Sequence, residues 1–218
     1  MGITTGAIIS VVIALIGYFR ERDILISQAT NKSVSTYMNM CVLRELTGYA
    51  LSNIGHTEKM RDIPFGTISS LARQAFDDYV DISNGLYVPF CKNGELAKKY
   101  RDFASYRSAF QNIFLIAQGI ELIALQIDIE TMEMAFASNP LCQTKPSSLL
   151  LERKKLLLVR ISKFHEHVTD RTMQYEDIAR YYVNRMNGKS AWENAYQEIG
   201  TAVAKIMSDY TIFDSSIS

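Results

Sequence analysis

The sequence is poor in cysteine, proline and glycine for its length. Its 218 residues include three cysteines, four prolines and eleven glycines. The cysteines are far apart and form no Cys-x-x-Cys pair, so we predict neither a metal site nor a disulfide framework, and we expect a reducing compartment. So few prolines and glycines disfavour all-β folds, which need many tight turns.

The chain also lacks an excess of charge of either sign. Its 23 basic and 23 acidic side chains give a formal net charge of zero. A neutral chain is not bound to nucleic acid by bulk charge alone, although a local basic patch can still bind a polyanion. Basic side chains outnumber acidic ones in residues 92–107 and 152–171, whereas residues 121–133 carry only acidic charges.

The first nineteen residues contain no charged side chain at all. Residues 3–19 read ITTGAIISVVIALIGYF, and as a helix they would span roughly 26 Å, enough to cross a hydrocarbon core. A signal peptide would place basic residues before the apolar run and a small-residue cleavage site after it. Here Arg20 and Arg22 follow the run, so residues 1–22 are predicted to be a transmembrane helix and its flank. A buried soluble helix is the alternative.

The same charges predict how the chain lies in the membrane. Arg20, Arg22 and Lys32 follow the span, and the positive-inside rule places them in the cytoplasm. We therefore expect a single-pass protein of the inner (plasma) membrane with residues 23–218 on the cytoplasmic side. The span has a small residue at every fourth position, which predicts a ridge for close helix packing and a homo-oligomer. These residues are Gly2, Gly6, Ser10 and Ala14.

The remainder of the chain predicts an all-α fold. Apolar residues recur at helical spacing, and breakers cluster near residues 53–64, 83–89, 139–147 and 187–188. One long helix is expected from Gly94 or Glu95 to Ala137. Residues 113–129 in it are almost wholly apolar, but four polar residues interrupt them, so we predict a core helix and not a second span.

The second basic segment contains the most specific chemical pattern, Arg160-Ile-Ser-Lys-Phe-His165. An arginine followed a few residues later by a histidine is typical of metal-independent HEPN ribonucleases. Histidine can transfer a proton near neutral pH, and arginine can bind the phosphate. His167 is the alternative partner. On one regular helix Arg160 and His165 diverge by about 140°, so a composite site needs a helix break or a second protomer. Otherwise both are structural contacts.

The chain has one N-terminal span followed by a helical domain that contains this motif. In this it resembles the small membrane-anchored HEPN-like accessory proteins of type VI-B CRISPR systems. The resemblance implies an oligomeric membrane pore that supports antiviral defence, with an RNA-guided RNA-targeting effector, or RNA, as partner and no small-molecule cofactor. Nuclease motifs of this class usually have a polar residue where Ile161 stands, which favours a role other than catalysis. A membrane-tethered ribonuclease and a non-enzymatic membrane scaffold are the alternatives.

Overall fold

The protein is an all-helical bundle in the residues that the structure describes. The computed structural model describes the backbone of residues 2–57, 59–85, 94–137 and 148–215, and the side chains of residues 13–57, 59–83, 106–135 and 148–210. No strand occurs in these ranges, which confirms the all-α prediction. Five α-helices and the short 3-10 helix Met60–Asp62 follow one another: α1 (Gly2–Asn53), α2 (Phe65–Gly85), α3 (Gly94–Ala137), α4 (Ser148–Asn187) and α5 (Ala191–Ser215).

Helix α4 ends where the sequence predicts, at Asn187 and Gly188. Gly188 has a φ of 102°, in the left-handed region that favours glycine, and its N–H donates to the carbonyl of Asn184 over 3.1 Å. This conformation ends many helices because glycine adopts it without steric cost. Helix α4 is continuous from Ser148 to Asn187, so it has no break within the Arg160-His165 motif.

Helix α1 joins the predicted membrane span to the bundle without interruption. It has 52 residues and is roughly 78 Å long. The predicted boundary between residues 22 and 23 therefore lies inside a helix. Every residue from 13 to 21 is exposed, and Ala29 is the first buried side chain among those described. Residues 13–21 of the helix thus lie outside the core of the described bundle.

Helices α1 and α4 pack closely through small polar residues. Four hydroxyl side chains of α1 are buried: Thr30, Ser33, Thr36 and Thr47. Thr30 and Thr36 donate to carbonyls four residues earlier in α1, each over 2.8 Å. Because the three threonine hydroxyls donate within their own helix, they can be buried at low cost in a tight interface. At the centre of the bundle, Phe110 contacts the rings of Tyr79 and Tyr175 at 4.9 and 5.4 Å between centroids.

The apolar helix α3 contains a buried carboxylate, Asp128, whose contacts explain its position. It is only 8% exposed. Its Oδ1 accepts the N–H of Met60 and its Oδ2 accepts the N–H of Arg61, both over 2.7 Å. The 3-10 helix Met60–Asp62 has no side-chain cap from its own N-terminus, so a residue 68 positions away fills that role. This contact holds the segment between α1 and α2 against α3.

One helix in the described part of the chain is long and apolar enough to cross a membrane, and it is the segment Tyr106–Ala135 of α3. This position is mid-chain and not the predicted N-terminal one. About a third of its most apolar stretch is buried inside the bundle, and core helices of soluble proteins share such length and composition. The predicted span at residues 3–19 begins among side chains outside the described residues, so it stays a prediction.

Candidate functional site

The Arg160-His165 motif lies on a regular stretch of α4 whose inner face is core. The sequence predicts a core stripe of Leu157, Ile161, Phe164 and Val168, and all four side chains are buried. Ile161 is apolar because the position after the arginine points into this core. Arg160 and His165 therefore lie on the two flanks of one buried stripe, as the helical angle predicts.

His165 packs against α1 and bonds to Thr47. Its Nδ1 lies 2.9 Å from the Thr47 hydroxyl oxygen, which donates its own proton to the carbonyl of Arg44 over 2.9 Å. With that proton donated to the Arg44 carbonyl, Nδ1 is the donor to Thr47, an assignment that depends on the tautomer of the ring. In the neutral imidazole, Nδ1 then carries the proton and Nε2 keeps its lone pair.

Gly48 lies beside this histidine. A Cβ added at Gly48 would lie 3.4 Å from Cε1 of His165, an ordinary van der Waals distance, so the imidazole packs on α1 at this glycine. Gly48 is the only glycine in residues 21–54, a signal in the sequence that marks a contact without naming its partner.

Arg160 faces the opposite neighbour, helix α3. It is exposed, and its Nη1 lies 3.9 Å from the position of a Cβ added at Gly119. It forms no ion pair with any residue whose side chain is described. One chain therefore places the arginine toward α3 and the histidine toward α1, and α4 has no break that would unite them. Only a second protomer could bring an Arg160 to a His165.

His167 is a weaker base than an ordinary histidine because its pKa is lowered. Burial lowers the pKa of His167, the positive charge of Arg171 lowers it further, and the Asp170 carboxylate opposes both effects. The folded state thus disfavours the protonated ring, so the contribution of His167 to stability is present above the ordinary histidine pKa and is lost as the pH falls below it. No hydrogen bond joins His167 to Arg160 among the described residues.

The basic character of α4 is partly used inside the chain. Arg153 pairs with Glu130 of α3 over 2.9 Å, and the Arg171 guanidinium lies 5.9 Å from the centre of the Tyr106 ring. The other predicted basic segment, residues 92–107, lies almost wholly outside the described side chains. Among described residues no group of three His, Cys, Asp or Glu side chains could bind a metal ion.

Comparison with known proteins assigns no family. No protein-family model, no curated protein and no solved structure matches this chain. The HEPN-like character of the bundle therefore remains an expectation from the motif and the order of elements. The contacts of His165 with Thr47 and of Asp128 with the backbone at Met60 are what the structure adds to the sequence pattern.

Proposed function

We propose that this chain is a single-pass membrane protein whose cytoplasmic bundle and N-terminal helix assemble into a pore that changes membrane permeability in RNA-guided antiviral defence. The observation that supports it most is the exposure of the first part of α1. Ile13 and Ile16 are 65% and 62% exposed, and Leu15, Tyr18 and Phe19 are about half exposed. No described part of the chain covers them.

The physical reason is the cost of leaving such a surface in water. Burying a large apolar side chain contributes about 1.5–3 kcal/mol. The five large apolar side chains within residues 13–19 therefore strongly favour apolar surroundings. The first basic residues, Arg20 and Arg22, come directly after this stretch and suit the lipid headgroup region. A buried soluble helix, the alternative reading of the sequence, would need a covering surface that the described bundle does not provide.

Helix α3 is the weaker candidate for the membrane anchor, although its composition would allow a span. Its inner face packs into the bundle, and Asp128 bonds there to two backbone N–H groups. Gln118, Gln126 and Glu133 lie exposed on its outer side, where lipid would have to solvate them. These groups favour α1 as the anchor and α3 as part of the cytoplasmic domain.

The pore and its setting in CRISPR defence rest on the resemblance together with the ridge of small residues. One span cannot enclose a channel, whereas a ring of α1 helices packed through Gly2, Gly6, Ser10 and Ala14 could. The side chains of the first three lie outside the described residues, and Ala14 is exposed. Since α1 is one helix from Gly2 to Asn53, a change in the ring is coupled directly to the bundle.

The ridge can be tested by replacing Gly6 and Ser10 together with leucine. The segment stays apolar and should still insert, but helices can no longer approach closely on that face. We expect the oligomer distribution in detergent to shift to smaller species, as measured by light scattering. The double variant Ile13→Leu, Ile16→Leu changes the same helix without filling the ridge and serves as the control. A parent-like distribution in the ridge variant would show that other contacts set the assembly.

A membrane-tethered ribonuclease is the second candidate. The observations that favour it are the half-buried imidazole of His165, a group that can act as a general base, and an Arg160 that forms no ion pair among the described residues. Both groups would have to meet across two protomers. Within one chain Arg160 faces α3 and His165 faces α1, and this separation favours a structural role for His165.

Substitution of the two residues separates these roles. We expect His165→Ala to lower the melting temperature, because Thr47 loses its donor and the ring leaves a gap over Gly48, at a cost of about 1–3 kcal/mol. Thr47→Val should have a similar effect, and the two should not add because they break one contact. Lys163→Ala, on the exposed side of the same helix, should change little. RNA cleavage by the parent that disappears in Arg160→Ala and His165→Ala at unchanged melting temperature would contradict the structural role.

A further inference from the structure

Helix α3 is apolar on two opposite faces, and only one of them is used inside the bundle. The inner face is buried and consists of Ile113, Ala117, Ile120, Ala124 and Ile127. The opposite face is exposed, with Leu122 at 66% as its most accessible member. We call this face the outer stripe; its residues are Leu115, Gln118, Leu122, Leu125, Ile129 and Met132.

The two faces share one spacing. Along the inner face the steps alternate between four and three residues, and the outer stripe alternates between three and four. This is the heptad repeat, in which apolar residues at positions a and d form a seam that receives the knobs of a second helix. The inner seam has its partner helices in the bundle. The outer seam is built alike and has no partner in the described part of the chain.

We propose that the outer stripe pairs with the outer stripe of a second copy of this chain, in parallel and in register, as a two-helix seam on the cytoplasmic side of the membrane. This interface goes beyond the ridge in the membrane span, because it lies in the bundle and uses a different helix. Its parallel direction and its place on the cytoplasmic side rest on the proposed anchoring of α1.

The repeat favours a helix over lipid as the partner. Lipid chains require no register, and the outer side carries Gln118, Gln126 and Glu133, which are costly in hydrocarbon. A single polar residue such as Gln118 in a helical seam instead specifies register. Half-exposed side chains of this size present roughly 500–600 Å² per copy, and a pair would bury about twice that, near the lower bound of specific protein interfaces.

The direction follows from the helix order. Helix α1 is antiparallel to α4, since Thr30 meets Tyr182 while Thr47 meets His165. Helix α3 is also antiparallel to α4, as the contacts of Gly119 with Arg160 and of Glu130 with Arg153 establish. Helices α1 and α3 therefore run the same way. Copies anchored through α1 in one membrane would present their α3 helices in parallel.

The flanks of the stripe allow this pairing. In a parallel seam Glu121 would face Gln126 of the second copy, which brings no like charges together. Asp128 would lie on the same flank as Glu133 of that copy, a pair of like charges, but its side chain is only 8% exposed and both oxygens accept backbone N–H groups inside its own bundle. Gly119 lies beside the seam, next to the Arg160 guanidinium.

Disulfide trapping in native membranes tests the pairing on the full-length chain. Leu115→Cys and Ile129→Cys should each form a disulfide with the same residue of a second copy under mild oxidation, since equivalent positions meet in a parallel seam. Met173→Cys, 57% exposed on α4, is the matched control and should not. Adding Leu122→Glu to either stripe variant should reduce the trapped fraction by about tenfold or more, because a charge would be buried without a partner. Mass spectrometry of the linked peptides excludes the native cysteines as the source.

Several results would overturn the proposal. A disulfide that forms only when Leu115→Cys and Ile129→Cys copies are mixed would mean antiparallel pairing. Absence of disulfides with labelling of Leu122 by a lipid-phase photoprobe would mean that membrane covers the stripe. If no disulfide forms, the protein is monomeric and the introduced cysteines resist a water-soluble thiol reagent, a segment of the same chain covers the outer stripe. If they react freely with that reagent, nothing covers it. Sedimentation of the same variants with membranes reports separately on the anchor, so a failure of the proposed function is distinguishable.

Discussion

Removal of residues 2–19 should transfer the protein from the membrane fraction to the soluble fraction. The deleted stretch contains the exposed apolar part of α1, whereas the first buried side chain of that helix is Ala29. No core contact of the described bundle is lost, so we expect the helical circular dichroism per residue to be almost unchanged. Sedimentation after alkaline washing of membranes measures the transfer, and the intact chain should remain in the pellet.

A single charge placed in the proposed span should also weaken the association with the membrane. Ile16→Arg places a cation in the last part of the proposed span and should weaken insertion, by less than the roughly 2.5–3.5 kcal/mol that a charge costs at a helix centre. Tyr196→Arg introduces the same charge at an exposed position of α5 and should not. If the truncated protein still sediments with membranes, α3 is the anchor. Soluble aggregates with reduced helicity would mean that residues 2–19 belong to the core.

Asp128→Ala should produce the largest loss of stability among single substitutions in the bundle. It leaves the buried N–H of Met60 and the neighbouring N–H of Arg61 without their acceptor. Hydrogen bonds to a charged group contribute about 1.5–3 kcal/mol each, so a combined loss of about 3–5 kcal/mol is expected after partial rescue by water. Urea unfolding of the detergent-solubilised protein, followed by circular dichroism, measures it.

Two variants make this result specific. Asp128→Asn keeps one acceptor oxygen and should lose only part of the stability. Glu133→Ala removes a carboxylate from the exposed side of the same helix and should change the unfolding free energy by no more than about 0.5 kcal/mol. Equal effects of Asp128→Ala and Glu133→Ala would mean that the carboxylate does not support the 3-10 helix.

The sequence predicted the elements better than their partners. Helix α3 begins and ends as predicted, and the core stripe through Leu157 and Phe164 is confirmed, because both depend on local spacing and on breakers. The single helix α1 follows from the absence of proline up to Asn53. The predicted boundary between residues 22 and 23 separates membrane from cytoplasm within this one helix, and it stays a prediction.

The contacts that define the candidate site are tertiary and leave no local signal. Thr47 and His165 are 118 residues apart, and Asp128 is 68 residues from Met60. Helical geometry alone predicted that Arg160 and His165 lie on different flanks of one helix. It could not predict that Arg160 faces α3 and His165 faces α1. The four polar residues in the apolar part of α3 predicted a core helix, and only the fold shows that one of them, Asp128, accepts two backbone N–H groups.

The most direct test of a pore is release of a trapped dye from lipid vesicles that contain the purified full-length chain. We expect release that rises steeply with the protein-to-lipid ratio, as a ring of several helices requires, and that falls to the background of empty vesicles when Gly6 and Ser10 are both leucine. Vesicles that stay sealed while the parent protein is demonstrably inserted and oligomeric would contradict the account.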